Sequence, residues 1–165
     1  MFAVRQATAD DAAAVKRVLD EAAEWATAKS DGVPMWELNE LALEFVQDEI
    51  ARGLFFLALA GDEPAGTVRF QLDDELFWPD LPSPDTSAFV HRLAVRRLFA
   101  GAGVATALLQ FAVERARSLG KQHLRLDCDA HRDHLRAMYE RFGFRLHSYR
   151  QVGPYYVARY EYELR

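Results

Sequence analysis

Two glycines, placed where a strand gives way to an apolar helix, are the most chemically suggestive feature of this chain. The stretch reads Leu93-Ala-Val-Arg-Arg-Leu-Phe-Ala-Gly-Ala-Gly-Val-Ala-Thr-Ala-Leu-Leu109. The first backbone N–H groups of a helix have no partner within it and carry partial positive charge. Glycine, having no Cβ, lets such a backbone touch a ligand. Gly101 and Gly103 ahead of Val104, Ala105 and Thr106 therefore suit a phosphate or pyrophosphate. Tight packing is the rival explanation, and two glycines alone leave both open. Asp127 follows Gly103 at roughly the distance of the acidic ribose contact in dinucleotide or S-adenosylmethionine folds. Against that reading, the third glycine of such a motif is Thr106 here and the loop stands beyond the strand end. Asp127 is instead expected to face solvent or cap a neighbour. His131 and His134, with Asp127 and Asp129, straddle a strand end and a helix start without the i, i+4 pair of a helical metal site. They are read as a solvated helix start, and no metal is expected. Cys128, the sole cysteine, alternates with apolar residues and reads as inert core.

The elements that must position this loop are legible from periodicity. Phe2–Gln6 is a short strand candidate, and Thr8 with Asp11 three residues on forms a capping box. Val15, Val18, Leu19 and Ala22 then line one helical face. Gly32 and Pro34 break that helix, and a second takes Leu38, Leu41, Ala42 and Phe45 inward, ending near Gly53. Leu54–Ala60 is a continuous apolar run, a buried strand, and Gly61-Asp62 turns it into a hairpin with Val68, Phe70 and Leu72. Residues 73–87 are proline-rich and acidic and read as loop. Phe89, His91, Leu93 and Val95 alternate along the next strand. Val104, Leu108, Phe111 and Ala112 face inward from a third helix that Gly120 closes. Leu124, Leu126 and Cys128 mark another strand. Leu135, Met138, Tyr139 and Phe142 line a fourth helix closed by Gly143. Two antiparallel strands around Gly153-Pro154 finish the pattern. The order is β-α-α-β-β-β-α-β-α-β-β. Strand 88–95, helix 103–118 and strand 123–129 form a parallel βαβ unit. The fold class is α/β: a mixed, largely antiparallel sheet with that unit at its centre and helices flanking it.

The glycine stretch resembles motif A of the GCN5-related N-acetyltransferases, Gln/Arg-x-x-Gly-x-Gly/Ala after a strand ending in Leu-x-Val. Leu93 and Val95 stand in the strand positions, and Gly103 and Ala105 match the last two motif positions. Ala100 falls where Gln or Arg is usual. Met138-Tyr139-Glu140-Arg141-Phe142-Gly143-Phe144 resembles the family's Leu-Tyr-Glu-x-x-Gly-Phe segment, with Arg132 where an asparagine is usual. The element order matches too, so the resemblance spans nearly the whole chain and implies the acyl-CoA N-acyltransferase fold.

It also implies roles. Amides of Gly101, Ala102, Gly103, Val104 and Ala105, with the Thr106 hydroxyl nearby, would hold the pyrophosphate of acetyl-coenzyme A as co-substrate. Leu93, Ala94 and Val95 would pair with the pantetheine amides, and an N–H near Val95 would polarise the thioester carbonyl. Arg96 and Arg97 would either meet a phosphate or form a solvated turn. Tyr139 would protonate the leaving thiolate, a phenol being protonated at neutral pH; a core aromatic is the alternative. His91 would take the amine's proton, with Glu37, Glu40 and Glu44 as rivals. Trp36 and the 73–87 loop would border the acceptor pocket, the loop's acids either attracting a cationic amine or serving as surface.

Composition sets the outer bounds. The 165 residues are about one domain's worth, 1–165. A net charge of −5 argues against a general nucleic-acid binder. No apolar run reaches membrane-spanning length, and Met1–Ser30 lacks the layout of a secretory signal, so a cytoplasmic location is expected. The expected partners are a small-molecule or peptide amine, with neither nucleic acid nor membrane, and a homodimer as candidate assembly. The reading is an N-acetyltransferase acting by direct transfer in a ternary complex. A non-catalytic acyl-CoA-binding or sensing module is the alternative that Ala100 and Arg132 keep open.

Overall fold

The computed structural model describes residues 1–29, 35, 36 and 38–165. Its regular elements are β1 (Ala3–Gln6), α1 (Ala12–Lys29), α2 (Leu43–Ala51), β2 (Phe55–Ala60), β3 (Glu63–Gln71), β4 (Ser87–Val95), α3 (Val104–Ser118), β5 (His123–Asp129), α4 (Asp133–Phe142), β6 (Arg145–Val152) and β7 (Tyr155–Glu163). This is the order the patterning predicts. The strands join in the order β1-β2-β3-β4-β5-β7-β6. β4 and β5 run parallel and the pairs β1–β2, β2–β3, β5–β7 and β6–β7 antiparallel. The sheet is thus mixed and mostly antiparallel, and α3 connects its parallel pair. Among the described residues no helix is long and apolar enough to cross a membrane.

The chain divides into two compact units, Met1–Arg69 with Arg92–Phe111, and Phe70–His91 with Ala112–Arg165. In the first, Val15, Val18 and Leu19 of α1 pack with Val46 and Ile50 of α2 and with Phe55, Leu57 and Ala94. The capping box forms as expected, the Thr8 N–H donating to the Asp11 carboxylate at 2.7 Å. The start of α2 differs from expectation. Leu38–Leu41 is a 3-10 turn, and Ala42 is extended (ψ 145°), so the helix proper begins at Leu43. The apolar positions 38, 41, 42 and 45 therefore do not share one α-helical face; Val46 and Ile50 carry the inward stripe. Gly32 and Pro34 lie outside the described residues.

In the second unit, Trp78 is buried with the Arg125 guanidinium 5.1 Å and the Arg159 guanidinium 4.6 Å from its ring. Arg159 also clamps the acidic loop: it donates to both Asp80 carboxylate oxygens (2.7 and 3.0 Å) and to the Phe77 carbonyl. Asp80 stays at the surface while pairing with the buried Arg159, and Asp74 of the same loop is buried.

Candidate active site

β4 leads into the glycine loop, and its end is set by close packing within the first unit. A Cβ on Gly66 would stand 2.8 Å from the Ala94 carbonyl and 2.7 Å from a Val104 methyl. Only glycine lets β3 lie this near the strand end and the start of α3. The Arg96 N–H donates to the Ala65 carbonyl, 2.9 Å, continuing the attachment. Both glycines of the loop have positive φ, +76° at Gly101 and +94° at Gly103, and nothing lies within 4 Å of where either Cβ would stand. Glycine is required here by backbone conformation, and the space it leaves is open. The Ala107 N–H reaches the Gly103 carbonyl at 3.0 Å. The four N–H groups at the helix start, those of Gly103, Val104, Ala105 and Thr106, thus precede the intrahelical ladder and lack acceptors within it. That is a cradle fit for a phosphate. Ala102 is set apart from it, because its N–H donates to the Phe99 carbonyl at 3.1 Å.

The loop is tethered from α1. Glu21 accepts the Arg97 N–H at 3.1 Å and stands 3.4 Å from Arg96 Nε. Arg96 also pairs with Glu63 and donates to the Pro64 carbonyl, while the Arg97 guanidinium lies 4.0 Å over Trp25. Both arginines are engaged by protein groups. They act as loop anchors in this structure.

Arg92 departs from regular strand geometry, with φ at +55°, a conformation non-glycine residues seldom adopt. Its guanidinium pairs with Glu40 and lies 5.2 Å over the Trp36 ring. The alternation along β4 is interrupted there. A face shared by His91, Leu93 and Val95 therefore does not follow from their spacing. Glu40, a rival base, is taken up by this pair; Glu37 lies outside the described residues.

The titratable candidates belong to the second unit. His91 Nε2 is 2.7 Å from Asp74 Oδ2, and its Nδ1 is 3.7 Å from Asp127 Oδ1. Asp74 is held by its own turn, its Oδ1 accepting the Phe77 N–H at 3.0 Å and its carbonyl the Trp78 N–H. The Phe77 ring packs 5.7 Å from the imidazole. Asp127 is buried, contrary to the expectation of a solvent-facing or capping role. Burial, foremost, pushes its carboxyl up to about 6; Asp74 adds to the rise, while His91 and Arg159 oppose it. Among the described residues, Asp74, His91 and Asp127 offer ligand atoms within 4.8 Å of one another, a grouping absent from the sequence expectations.

Tyr139 sits in the last turn of α4, almost wholly buried against Phe144 and Tyr160. Burial, with the Cys128 thiol and Asp127 carboxylate adding to it, raises its phenol well above the ordinary value. The phenol therefore stays protonated across the physiological pH range. Gly143, at φ +126°, ends the helix, and the Tyr139 carbonyl takes the N–H groups of both Gly143 and Phe144. Glu140 accepts the Tyr160 hydroxyl at 2.8 Å. Tyr139, Glu140, Gly143 and Phe144 of this segment thus each have a structural task. Cys128 is buried and its thiol is pushed up to about 12, mainly by that burial, as expected of inert core. Asp129 Oδ1 caps the turn at His131 N–H, 2.8 Å.

Asp74 lies outside the sequence expectations, and Asp127 enters them as a solvent-facing or capping residue rather than a buried one. The available signal was position. Asp127 interrupts a strand between two others, where both faces are covered and a carboxylate needs a reason to be.

A mixed, mostly antiparallel sheet with one parallel pair, and a glycine-opened helix following the first strand of that pair, is the architecture expected of the acyl-CoA N-acyltransferase fold. The chain belongs to the acetyltransferase (GNAT) family, whose model matches residues 15–144. It is 31% identical over 141 residues to the N-acetyltransferase YesJ of Bacillus subtilis (strain 168), itself uncharacterized, covering 82% of this chain and 77% of that one. The fold is similar to that of PaiA N-acetyltransferase from Thermoplasma acidophilum in complex with coenzyme A (TM-score 0.77, 16% identity, 98% and 99% of the two chains). It also resembles yncA from Salmonella typhimurium with its cofactor acetyl-CoA (TM-score 0.69, 15% identity, 100% and 95%).

Proposed function

We propose that this acetyltransferase moves an acetyl group from acetyl-CoA to a primary amine of a small molecule or peptide, by direct transfer in a ternary complex. The observation that carries the reading is the start of α3, four ladder-free N–H groups behind two positive-φ glycines with open space above them. Such a start suits the pyrophosphate of coenzyme A. The family membership and the acetyl-CoA and coenzyme A bound by the similar structures support the same co-substrate. Leu93, Ala94 and Val95 would present backbone groups to the pantetheine arm, and the Val95 N–H would stabilise charge on the thioester oxygen. His91 takes the proton that frees the amine lone pair. The nitrogen–carbon bond forms, the carbon–sulfur bond breaks, and Tyr139 gives its proton to the departing thiolate. The proton lost by the new amide nitrogen restores the phenol.

The test has two arms. Calorimetric titration with acetyl-CoA is expected to show micromolar binding, and thiol release across a panel of amines should identify an acceptor. Folded protein that ignores millimolar acetyl-CoA would refute the reading. Tight binding without turnover on any amine would favour a sensing module instead, as Ala100 and Arg132 suggest.

A further inference from the structure

Among the described residues Arg92 is the sole non-glycine with a left-handed backbone, φ +55°. That conformation crowds Cβ against the following carbonyl, and folds keep it where the surroundings hold it in place. The position is a junction. The ladder between β4 and β5 covers Ser87–Phe89, and Leu93, Ala94 and Val95 follow Arg92 directly. The backbone has only two soft dihedrals per residue, so φ at Arg92 sets the direction in which that strand end runs. The side chain is fixed in turn. Its guanidinium, on a side chain only 10% exposed, pairs with the Glu40 carboxylate and lies 5.2 Å over the Trp36 ring. Nearby, Glu49 is committed to Arg69 at 2.7 Å. Arg52 acts on the same group of charges, so three arginines face two glutamates, and Glu40 is the carboxylate that meets Arg92. A guanidinium so withdrawn from water is costly without its partner. Glu40 belongs to the 3-10 turn Leu38–Leu41 ahead of α2. The pair therefore ties a turn 52 residues away in sequence to one strained dihedral. All of these groups lie in the first compact unit.

We propose that Arg92 is a positioning residue for coenzyme binding: Glu40 and Trp36 clamp its guanidinium, the clamp holds the left-handed backbone, and that backbone aims the main-chain groups of Leu93–Val95 at the pantetheine arm. The inference rests on the N-acetyltransferase reading and gives Glu40 the work of a clamp in place of that of a base. Its physical basis is preorganisation. A strand end already held in its binding direction does not have to be ordered by the ligand, so less of the interaction energy is lost on binding. With the clamp removed, Arg92 is free to relax towards the extended region that L residues prefer, and the peptide groups after it turn with it. The effect falls on the pantetheine half of the coenzyme. The nucleotide half would be held by the amides at the start of α3, whose left-handed residues, Gly101 and Gly103, need no clamp.

The experiment separates the two halves of the coenzyme by calorimetry on the full-length protein. Arg92→Gly keeps the left-handed backbone accessible and removes the guanidinium. It should weaken coenzyme A binding by about tenfold or more, as misplaced contacts do. The coenzyme's own nucleotide half, ADP phosphorylated on the ribose, lacks the pantetheine arm and should bind within about twofold of wild type. Adding Glu40→Gln to Arg92→Gly should cost nothing further, because the two residues act as one unit. Arg92→Lys keeps the charge without the planar guanidinium and should recover part of the loss. Glu40→Gln by itself leaves β4 untouched and should show the same split between the two ligands, so the test survives an Arg92→Gly protein that does not fold. Coenzyme A affinity unchanged in either single variant overturns the proposal. So does equal weakening of both ligands, the mark of general structural damage, and so does an additive loss in the double variant. Wild-type protein that ignores coenzyme A overturns the transferase reading and this inference with it. Wild-type binding with unaltered variants overturns the inference alone.

Discussion

A phenol as deeply buried as Tyr139 keeps its proton, and in the proposed reaction it gives that proton to the departing sulfur. Tyr139→Phe preserves the ring contacts with Phe144 and Tyr160. It should lower kcat by about 10²-fold or more, the usual range for a lost general acid, with little change in Tm. Full turnover by a folded Tyr139→Phe protein would reduce the residue to packing. Asp127 carries a different consequence. Its carboxyl titrates at about 6 in the fold and near 3.9 in an unfolded chain. The native state thus holds the proton more tightly. Stability from this group is fully present below about 3.9, declines as pH rises and is lost once pH passes about 6. Asp127→Asn, uncharged throughout, should therefore raise Tm at pH 8, by an energy of up to about 3 kcal/mol at 1.36 per pH unit, and should gain far less at pH 4. Equal gains at both values would show that Asp127 is not held up by burial.

At the scale of elements, the approach of β3 to the end of β4 and the start of α3 depends on one missing side chain. The Ala94 carbonyl is backbone and cannot step aside. Gly66→Ala should cost about 1–3 kcal/mol, the range for overpacking, and should weaken acetyl-CoA binding because strand end and helix start must separate. Denaturant melts and calorimetry check both. A Gly66→Ala protein of native stability and affinity would mean that the strands yield freely. Helix α2 shows why element boundaries were harder to read than elements. Leu38, Leu41, Ala42 and Phe45 satisfy helical spacing, yet the extended backbone at Ala42 resets the phase. Periodicity reports which residues are apolar; it is silent about a single dihedral.

For the molecule as a whole, strand and helix order was legible because hydrophobic period and glycine stops agree along most of the chain. The glycine cradle was legible too, since backbone donors at a helix start follow from local sequence. The Asp74–His91–Asp127 grouping was not. Its members come from a loop, β4 and β5, and nothing local says that three residues so far apart in sequence meet. The same holds for Arg92, which has a left-handed backbone and an ion pair with distant Glu40. Long-range pairing fixes these details, and one chain read alone does not display it.

The strand order has a temporal side. β7 follows β5 and β6 in chain order yet lies between them in the sheet, and its Arg159 grips the loop that presents Asp74. A nascent chain stopped before Tyr155 would leave β6 with no neighbour to pair with and that loop without its clasp. The loop that carries Asp74 thus gains its clasp only once β7 has been made and has paired with β5 and β6.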